Sequence, residues 1–145
     1  MAFVVKADLL NYIESSQLDI VSQADDDIIA NVILTAEEEA KGYMRHRYDV
    51  GVIFAKSGSA RDNKLLQVVI DIALYHLFTT VVPRNIPEIR SIRYDGNDPR
   101  QQGGAIGWLK MVQKGTIQMD LTVKTDSAGL EEGHRVLYGN KTTSF

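Results

Sequence analysis

The sequence is 145 residues long, carries a net charge of −3 and contains no cysteine. This length fits one domain with a sizeable core, and a hydrophobic fraction of 44% with a charged fraction of 24% is typical of globular proteins. The lack of cysteine excludes disulfides and thiolate chemistry. The first residues lack the basic start and long apolar core of a signal peptide, so we expect synthesis in the cytoplasm.

The charge is divided unevenly along the chain. Residues 1–40 hold one lysine and nine acidic residues, for a net charge of −8, whereas residues 41–145 hold fifteen basic and ten acidic residues, for +5. An acidic end and a basic remainder suit head-to-tail contact between copies of one subunit, and a solvated acidic helix start explains the pattern equally well. The longest basic cluster, RHR at 45–47, is too short for strong nucleic-acid affinity.

The N-terminal third predicts a short helix, a connection and a long helix. Residues 5–13 place their apolar side chains on one side of a short helix, and the serine-rich stretch 15–23 is typical of a connection. Ser22 and Asp25 approximate a capping box for a long amphipathic helix that ends near Arg47. The three consecutive glutamates within this helix, residues 37–39, indicate a solvated face.

The most apolar stretch, Leu65–Phe78, organises the rest of the chain. It predicts a central buried helix over residues 62–82, because most of its circumference is apolar. Asp62 or Ser59 can cap this helix, which must end before Pro83. Polar residues interrupt the apolar run, which is therefore too short and too polar to cross a bilayer.

Shorter elements flank the central helix. Residues 49–61 hold two glycines and two serines and predict a loop. Pro87 suits the first turn of a helix over residues 88–94. A last helix is predicted over residues 105–114, with Gly115 as its C-cap.

After Gly115 the pattern changes to strict alternation, which is typical of a strand over residues 116–123. Its apolar face consists of Ile117, Met119, Leu121 and Val123. A single strand cannot satisfy its own backbone, so either residues 135–138 fold back on it or it pairs with another chain.

These elements together predict a mainly α-helical fold. We expect a compact helical domain over residues 1–115, with four to five helices around the central helix 62–82, and a C-terminal extended arm or β-hairpin over residues 116–145.

Candidate chemical groups are few. Asp71 is a carboxylate within an apolar helix, and Lys64 and Tyr75 on the same helical stripe favour a paired structural carboxylate over a general acid or base. Arg47 is another candidate partner for Asp71. His76 fits a satisfied core or interface histidine. The three histidines lack metal-ligand spacing and no phosphate-binding glycine loop is present, so we predict no catalytic residue, no metal, no cofactor and no enzymatic activity.

Four stretches, in their order along the chain, resemble the small head–tail connector (neck or adaptor) proteins of bacteriophages, particularly the Mu-like prophage type. They are DDDIIANVILTAEEEAKGYMRHRYDV at 25–50, DNKLLQVVIDIALYHLF at 62–78, IPEIRSIRYD at 86–95 and WLKMVQKGTIQMDL at 108–121. Their most specific elements are the Arg-Tyr pair at 47–48, Asp-Ile-Ala-Leu-Tyr at 71–75, Arg-Tyr at 93–94 and Lys-Gly-x-Ile at 114–117. The chain departs from the family pattern at residues 96–104, which look like an insertion, and in its polar tail.

The resemblance implies a structural virion protein of the phage neck, made in the host cytoplasm. By analogy with the portal, such a subunit assembles as a dodecameric ring that lies below the portal, extends the DNA channel and joins the tail. Its implied partners are copies of itself, the portal protein and the tail or next neck protein, with no membrane. Weak contacts with passing genomic DNA would come from basic residues at positions 84, 90, 93 and 100.

The residues that we expect to serve structure or interfaces are Arg47, Tyr48, Asp71, Tyr75, Arg93, Tyr94, Ile117, Met119, Leu121 and Val123. An alternative function is that of a small phage- or prophage-encoded adaptor or regulatory protein that acts as a dimer. This alternative predicts a closed two-fold interface and no contact with a portal.

Overall fold

A computed structural model describes residues 3–125, which fold into seven α-helices. The helices are α1 Lys6–Leu9, α2 Ser15–Ser22, α3 Asp26–Met44, α4 Val50–Ile53, α5 Asn63–Val81, α6 Glu88–Asp95 and α7 Gly104–Lys114. A 3₁₀ turn, Gly58–Ala60, lies between α4 and α5. The predicted mainly helical fold is confirmed, with two more helices than the largest number expected.

The central helix α5 is surrounded by other helices. It contacts α1, α2, α3, α6 and α7, and its contact with α3 is the most extensive. Its buried residues are Leu65, Val68, Val69, Ile70, Asp71, Ile72, Ala73, Leu74, Leu77 and Phe78. A helix that is apolar on most sides must be covered on most sides, and this requirement places α5 at the centre of the fold.

By length and composition alone, α5 is long and apolar enough to cross a membrane, which corrects the expectation drawn from Leu65–Phe78. That expectation considered only the apolar run, whereas the helix extends over Asn63–Val81. Over an 18-residue stretch of α5, 56% is buried inside the protein, and the core helix of a soluble protein can have the same length and composition.

Hydrogen bonds at the helix ends explain where α3, α5 and α7 begin or end. The Asp62 carboxylate accepts from the backbone N–H of Leu65 at 2.8 Å, so Asp62 caps α5. Asp25 alone caps α3. The predicted contribution of Ser22 to a capping box is wrong, because the Ser22 hydroxyl donates to the Leu18 carbonyl at 2.7 Å. Gly115 ends α7 with a φ of 83°, as predicted.

Two segments expected to be irregular are helical. The serine-rich stretch forms α2, since Leu18 and Val21 are buried together and tertiary packing overrides the weak helix propensity of serine. The predicted loop contains α4, which Asp49 caps and which buries Ile53. In contrast, the helix predicted over residues 5–13 is shorter, because i to i−3 hydrogen bonds tighten the chain into turns after Leu9.

The predicted strand over residues 116–123 does not form within the part of the chain that the structure describes. Its alternating apolar side chains instead pack against the helical core, and a single antiparallel bridge joins Val123 to Tyr48. Residues 135–138, predicted to fold back on this strand, lie outside the described residues. The predicted domain boundary after residue 115 stays a prediction.

The backbones of α6 and α7 touch where the two helices meet. A Cβ atom on Gly104, which has a φ of 60°, would lie 2.7 Å from the carbonyl oxygen of Arg93. A Cβ atom on Gly96 would lie 3.0 Å from the Cα atom of Gly103. Only glycine permits this approach, so the segment that looks like an insertion joins α6 tightly to α7.

Alanine substitution at two helical glycines should change stability in opposite directions. A Cβ atom on Gly107 would meet the backbone of Gln102, 2.5 Å from its carbonyl carbon, whereas a Cβ atom on Gly42 would meet nothing within 4 Å. We expect Gly107→Ala to lower the free energy of unfolding by about 1–3 kcal/mol through overpacking. We expect Gly42→Ala to raise it by about 0.5–1 kcal/mol through helix propensity. Urea unfolding measures both, and two stabilised variants would contradict the close approach at Gly107.

Candidate functional site

Buried and half-buried polar side chains gather where α3, α5 and α6 meet. We call them the central polar cluster: Glu39, Asp71, Tyr75, His76, Arg93 and Tyr94. Four of these six were predicted as structural or interface residues, and the hydrogen bonds of the cluster join α3, α5 and α6.

An ion pair between Asp71 of α5 and Arg93 of α6 forms one half of the cluster. Arg93 Nε donates to Asp71 Oδ1 at 2.7 Å and Arg93 Nη2 donates to Oδ2 at 3.1 Å. Burial raises the pKa of the Asp71 carboxyl above its ordinary value, although Arg93 opposes this rise. The hydrogen bond to Asp71 raises the pKa of the Arg93 guanidinium. The bidentate geometry commits both carboxylate oxygens to a structural pair.

The predicted structural pairing of Asp71 is therefore correct, but its expected partners are not. Lys64 and Tyr75 share its helical stripe, and neither makes the hydrogen bond that Arg93 makes. The other proposed partner, Arg47, lies with its guanidinium carbon 5.8 Å from the ring centroid of Tyr48. Sequence spacing within one helix cannot reveal a partner that a different helix supplies.

Glu39 of α3 accepts two hydrogen bonds in the other half of the cluster. His76 Nε2 lies 2.7 Å from Glu39 Oε1 and donates to it, since a carboxylate only accepts. The Tyr94 hydroxyl donates to Glu39 Oε2 at 2.7 Å. Burial acts to raise the pKa of the Glu39 carboxyl, but these two hydrogen bonds outweigh it and hold the pKa below its ordinary value. The predicted satisfied histidine is thus confirmed.

Two aromatic rings complete the cluster. Tyr75 and Tyr94 stack with ring centroids 4.0 Å apart and planes inclined by 3°. The His76 ring meets Tyr94 edge to face at 5.6 Å. Burial and the neighbouring Glu39 carboxylate raise the pKa of the Tyr94 hydroxyl, which therefore stays a hydrogen-bond donor. These contacts fix α6 against α3 and α5.

The expected solvated face at residues 37–39 is wrong for two of the three glutamates. Glu37 is 5% exposed and accepts from the backbone N–H of Val4, and Glu39 belongs to the central polar cluster. Only Glu38 is well exposed and pairs with surface cations. The spacing of the sequence indicated the burial of Glu39, because this residue lies three positions after Ala36 and four before Tyr43, on the apolar side of α3.

A second group of predicted residues lies at Tyr48, which is 1% exposed. Its hydroxyl accepts from the backbone N–H of Met119 at 2.9 Å. Backbone hydrogen bonds join Asp49 to Thr122 at 2.9 Å and Lys124 to Arg47 at 2.8 Å. Tyr48 therefore anchors residues 117–124 to their own subunit, and we call this contact the Tyr48 anchor.

The structure divides the ten predicted residues between the two sites. The central polar cluster contains Asp71, Tyr75, Arg93 and Tyr94, and the Tyr48 anchor contains Arg47, Tyr48, Ile117, Met119, Leu121 and Val123. The sequence reading missed Glu39 and a further ion pair between Asp8 and Arg61, whose nitrogen–oxygen distance is 2.7 Å.

A cleft of about 320 Å³ opens beside Asp71, lined by Lys64, Gln67, Ile92 and Arg93 and by the start of α7. At the edge of this cleft, both carboxylate oxygens of Asp71 accept hydrogen bonds from Arg93. Among residues 3–125, no group of three or more side chains is placed to hold a metal ion.

Two of the four basic residues expected to face DNA point elsewhere. Arg93 pairs with Asp71, and Arg90 Nη2 donates to the carbonyl oxygen of Tyr12 at 2.8 Å. Arg84 and Arg100 remain exposed.

In a comparison with known proteins, the chain matches one family. The family model described as Bacteriophage Mu, Gp36 matches residues 3–136 of the chain. No curated protein matches the chain, and no solved structure matches it. The family match includes both the central polar cluster and the Tyr48 anchor.

Removal of one partner of the Asp71–Arg93 pair should destabilise the protein. We expect Arg93→Met to lower the free energy of unfolding by roughly 2–3 kcal/mol, because it leaves Asp71 charged and buried. The cost should stay below that of a fully buried pair, since the Arg93 side chain is 32% exposed. Chemical denaturation measures the loss, with the exposed Arg84→Met as the matched control. The double variant Asp71→Leu/Arg93→Met should recover part of the loss, and equal effects of the two arginine substitutions would contradict a structural pair.

The hydrogen bonds to Glu39 should make stability depend on pH. Because its folded-state pKa lies below the unfolded value of 4.5, Glu39 contributes stability that is present above pH 4.5 and lost as the pH falls through the folded-state pKa. We therefore expect the unfolding free energy of Glu39→Gln to fall less steeply below pH 4.5 than that of the wild type. The exposed Glu14→Gln is the control. Parallel pH profiles of the two variants would contradict the contribution of Glu39.

Proposed function

The chain belongs to the bacteriophage Mu Gp36 family, and on that premise we propose that it is a head–tail connector subunit of the phage neck. Copies of the chain form a ring below the portal, extend the DNA channel and join the tail. The subunit is made in the host cytoplasm and becomes part of the virion. The observation that carries this proposal is the family match over residues 3–136, which makes the chain a protein of a Mu-like phage.

The internal contacts support a structural rather than a catalytic role. The carboxylates of Asp71 and Glu39 each accept two hydrogen bonds from neighbouring helices. The hydrogen bonds of the cluster therefore link α3 to α5, α3 to α6 and α5 to α6. Such hydrogen bonds suit a subunit that must keep its shape within an assembly, because a satisfied buried network fixes one packing arrangement.

The division of charge supports contact between copies. Six of the nine acidic residues in the first forty positions are exposed, namely Glu14, Asp19, Asp25, Asp26, Asp27 and Glu38, and the basic residues concentrate in the remainder of the chain. A contact that joins an acidic surface of one copy to a basic surface of the next is heterologous, and heterologous contacts close into rings when the rotation permits. A solvated acidic helix start accounts for part of the asymmetry, since Asp25 and its two acidic neighbours cap and begin α3.

The arginines of the expected set that remain exposed are too few to hold DNA tightly by themselves. With Arg90 and Arg93 committed to internal contacts, Arg84 and Arg100 are the residues of the expected set that can approach phosphates. Each phosphate contact adds to affinity and to its salt dependence, so two contacts give weak binding. Weak binding is suitable for a channel through which the genome must pass.

The decisive experiment is electron microscopy of this protein mixed with the portal protein of the same phage genome. We expect a ring stacked on the portal, with the twelve-fold symmetry of the portal, and no such ring when the portal is imaged alone. A subunit that is monomeric by light scattering before the portal is added agrees with this expectation.

Failure to bind the portal would overturn the connector function. If the unbound protein is also a stable dimer of fixed mass, the result would favour the alternative of a dimeric phage adaptor or regulatory protein. The two outcomes are distinguishable because a closed two-fold interface leaves no surface for further copies.

A further inference from the structure

The start of the described chain and helix α3 enclose an apolar groove of about 410 Å³. Val4, Ile29 and Ile33 form its buried floor, with exposed fractions of 1%, 2% and 5%. Val5 and Leu34 form its walls and are 38% and 57% exposed. A long aliphatic side chain that is more than half exposed beside an apolar floor marks a surface on which another apolar segment can be buried.

The charge at the rim of the groove is acidic. Lys6 and Asp26 lie at the rim and form an exposed ion pair at 2.9 Å. Asp25 and Asp27 flank Asp26 at the start of α3, so three carboxylates face one ammonium group in this region. An apolar segment that carries basic residues would complement both the groove and its rim.

The C-terminal tail of the chain contains such a segment. Beyond the described residues, the sequence Val136-Leu137-Tyr138 follows Arg135 and precedes Lys141. The other candidate in the tail, Leu130, is followed by two glutamates and has the wrong charge for an acidic rim. Composition therefore selects residues 135–141 as the complementary segment.

The tail leaves the helical body at one end of α3, and the groove lies near the other end. The Tyr48 anchor holds the chain at Lys124, just beyond the C-terminal end of α3, whereas the groove lies on its N-terminal half. The fourteen residue steps from Ala30 to Met44 correspond to about 21 Å along the helix axis. The ten residues 126–135 can span at most about 33 Å. The tail is thus long enough to reach a groove of its own subunit or of an adjoining one.

We propose that residues 136–138 of one copy dock in the groove between Val5 and Leu34 of the next copy. This inference rests on the proposed ring. The donor end and the acceptor end of a subunit lie at opposite ends of α3, and this arrangement joins copies head to tail rather than in closed pairs. The docked segment places Arg135 and Lys141 near the acidic start of α3.

Engineered disulfides test the contact directly, because the chain has no cysteine of its own. Two single variants, Leu34→Cys and a size-tagged Leu137→Cys, are mixed at high concentration and oxidised. We expect about tenfold more disulfide-linked heterodimer than with the control pair Ile20→Cys and Leu137→Cys, because docking raises the local concentration of the two thiols. Ile20 is a suitable control since it is 76% exposed and lies on α2, outside the groove.

Two outcomes would overturn the proposal. Equal cross-linking of the Leu34 and Ile20 variants would show that the tail has no preference for the groove. An intrachain disulfide in the double variant Leu34→Cys/Leu137→Cys, without linked dimers, would show that the tail occupies its own groove.

A second measurement separates this inference from the proposed function. In the portal mixture, we expect Leu34→Asp to lose the ring and Ile20→Asp to retain it. Rings that form normally with Leu34→Asp would contradict the docking while the connector function stands. Cross-linked dimers without any wild-type ring would contradict the connector function while the contact stands.

Discussion

Burial of α5 on nearly all sides is the constraint on which the other helices depend. An apolar helix in this position needs partners around its circumference, and α1, α2, α3, α6 and α7 provide them. The helix also carries Asp71, whose carboxylate would be costly to bury without a partner. Arg93 supplies the compensating charge from α6, so the position of α6 follows from the chemistry of α5. The apolar packing around α5 and the pairing of Asp71 therefore both require α6 to lie against α5.

Three of the long-range contacts in the fold share one pattern: a buried or half-buried polar side chain accepts hydrogen bonds from a distant part of the chain. Glu39 of α3 accepts from α5 and α6, Glu37 accepts from the N-terminal segment, and Tyr48 accepts from the C-terminal segment. These hydrogen bonds join both ends of the described chain to the helical body. The family match over residues 3–136 includes both of these segments.

Sequence reasoning predicted the features that depend on local chemistry. The central helix, its cap at Asp62 and the glycine after α7 are confirmed, because periodicity and capping act over a few residues. It failed where distant residues decide the outcome. The partner of Asp71, the burial of Glu39 and the helix α2 all depend on packing between elements that are far apart in the sequence. The alternation of residues 116–123 was read correctly as one apolar face, but a strand needs a neighbouring strand, and Tyr48 offers only one bridge.

The glycine contact between α6 and α7 has a mechanical consequence. Most helix pairs are separated by a layer of side chains that can change rotamers and let the helices slide. At Gly96, Gly103 and Gly104 that layer is missing, and backbone lies directly on backbone. Displacement of α6 must therefore carry the start of α7 with it, and the ion pair to Asp71 extends the same coupling to α5. A load applied to α6 from outside would be shared by three helices at once, so α5, α6 and the start of α7 would move as one rigid unit.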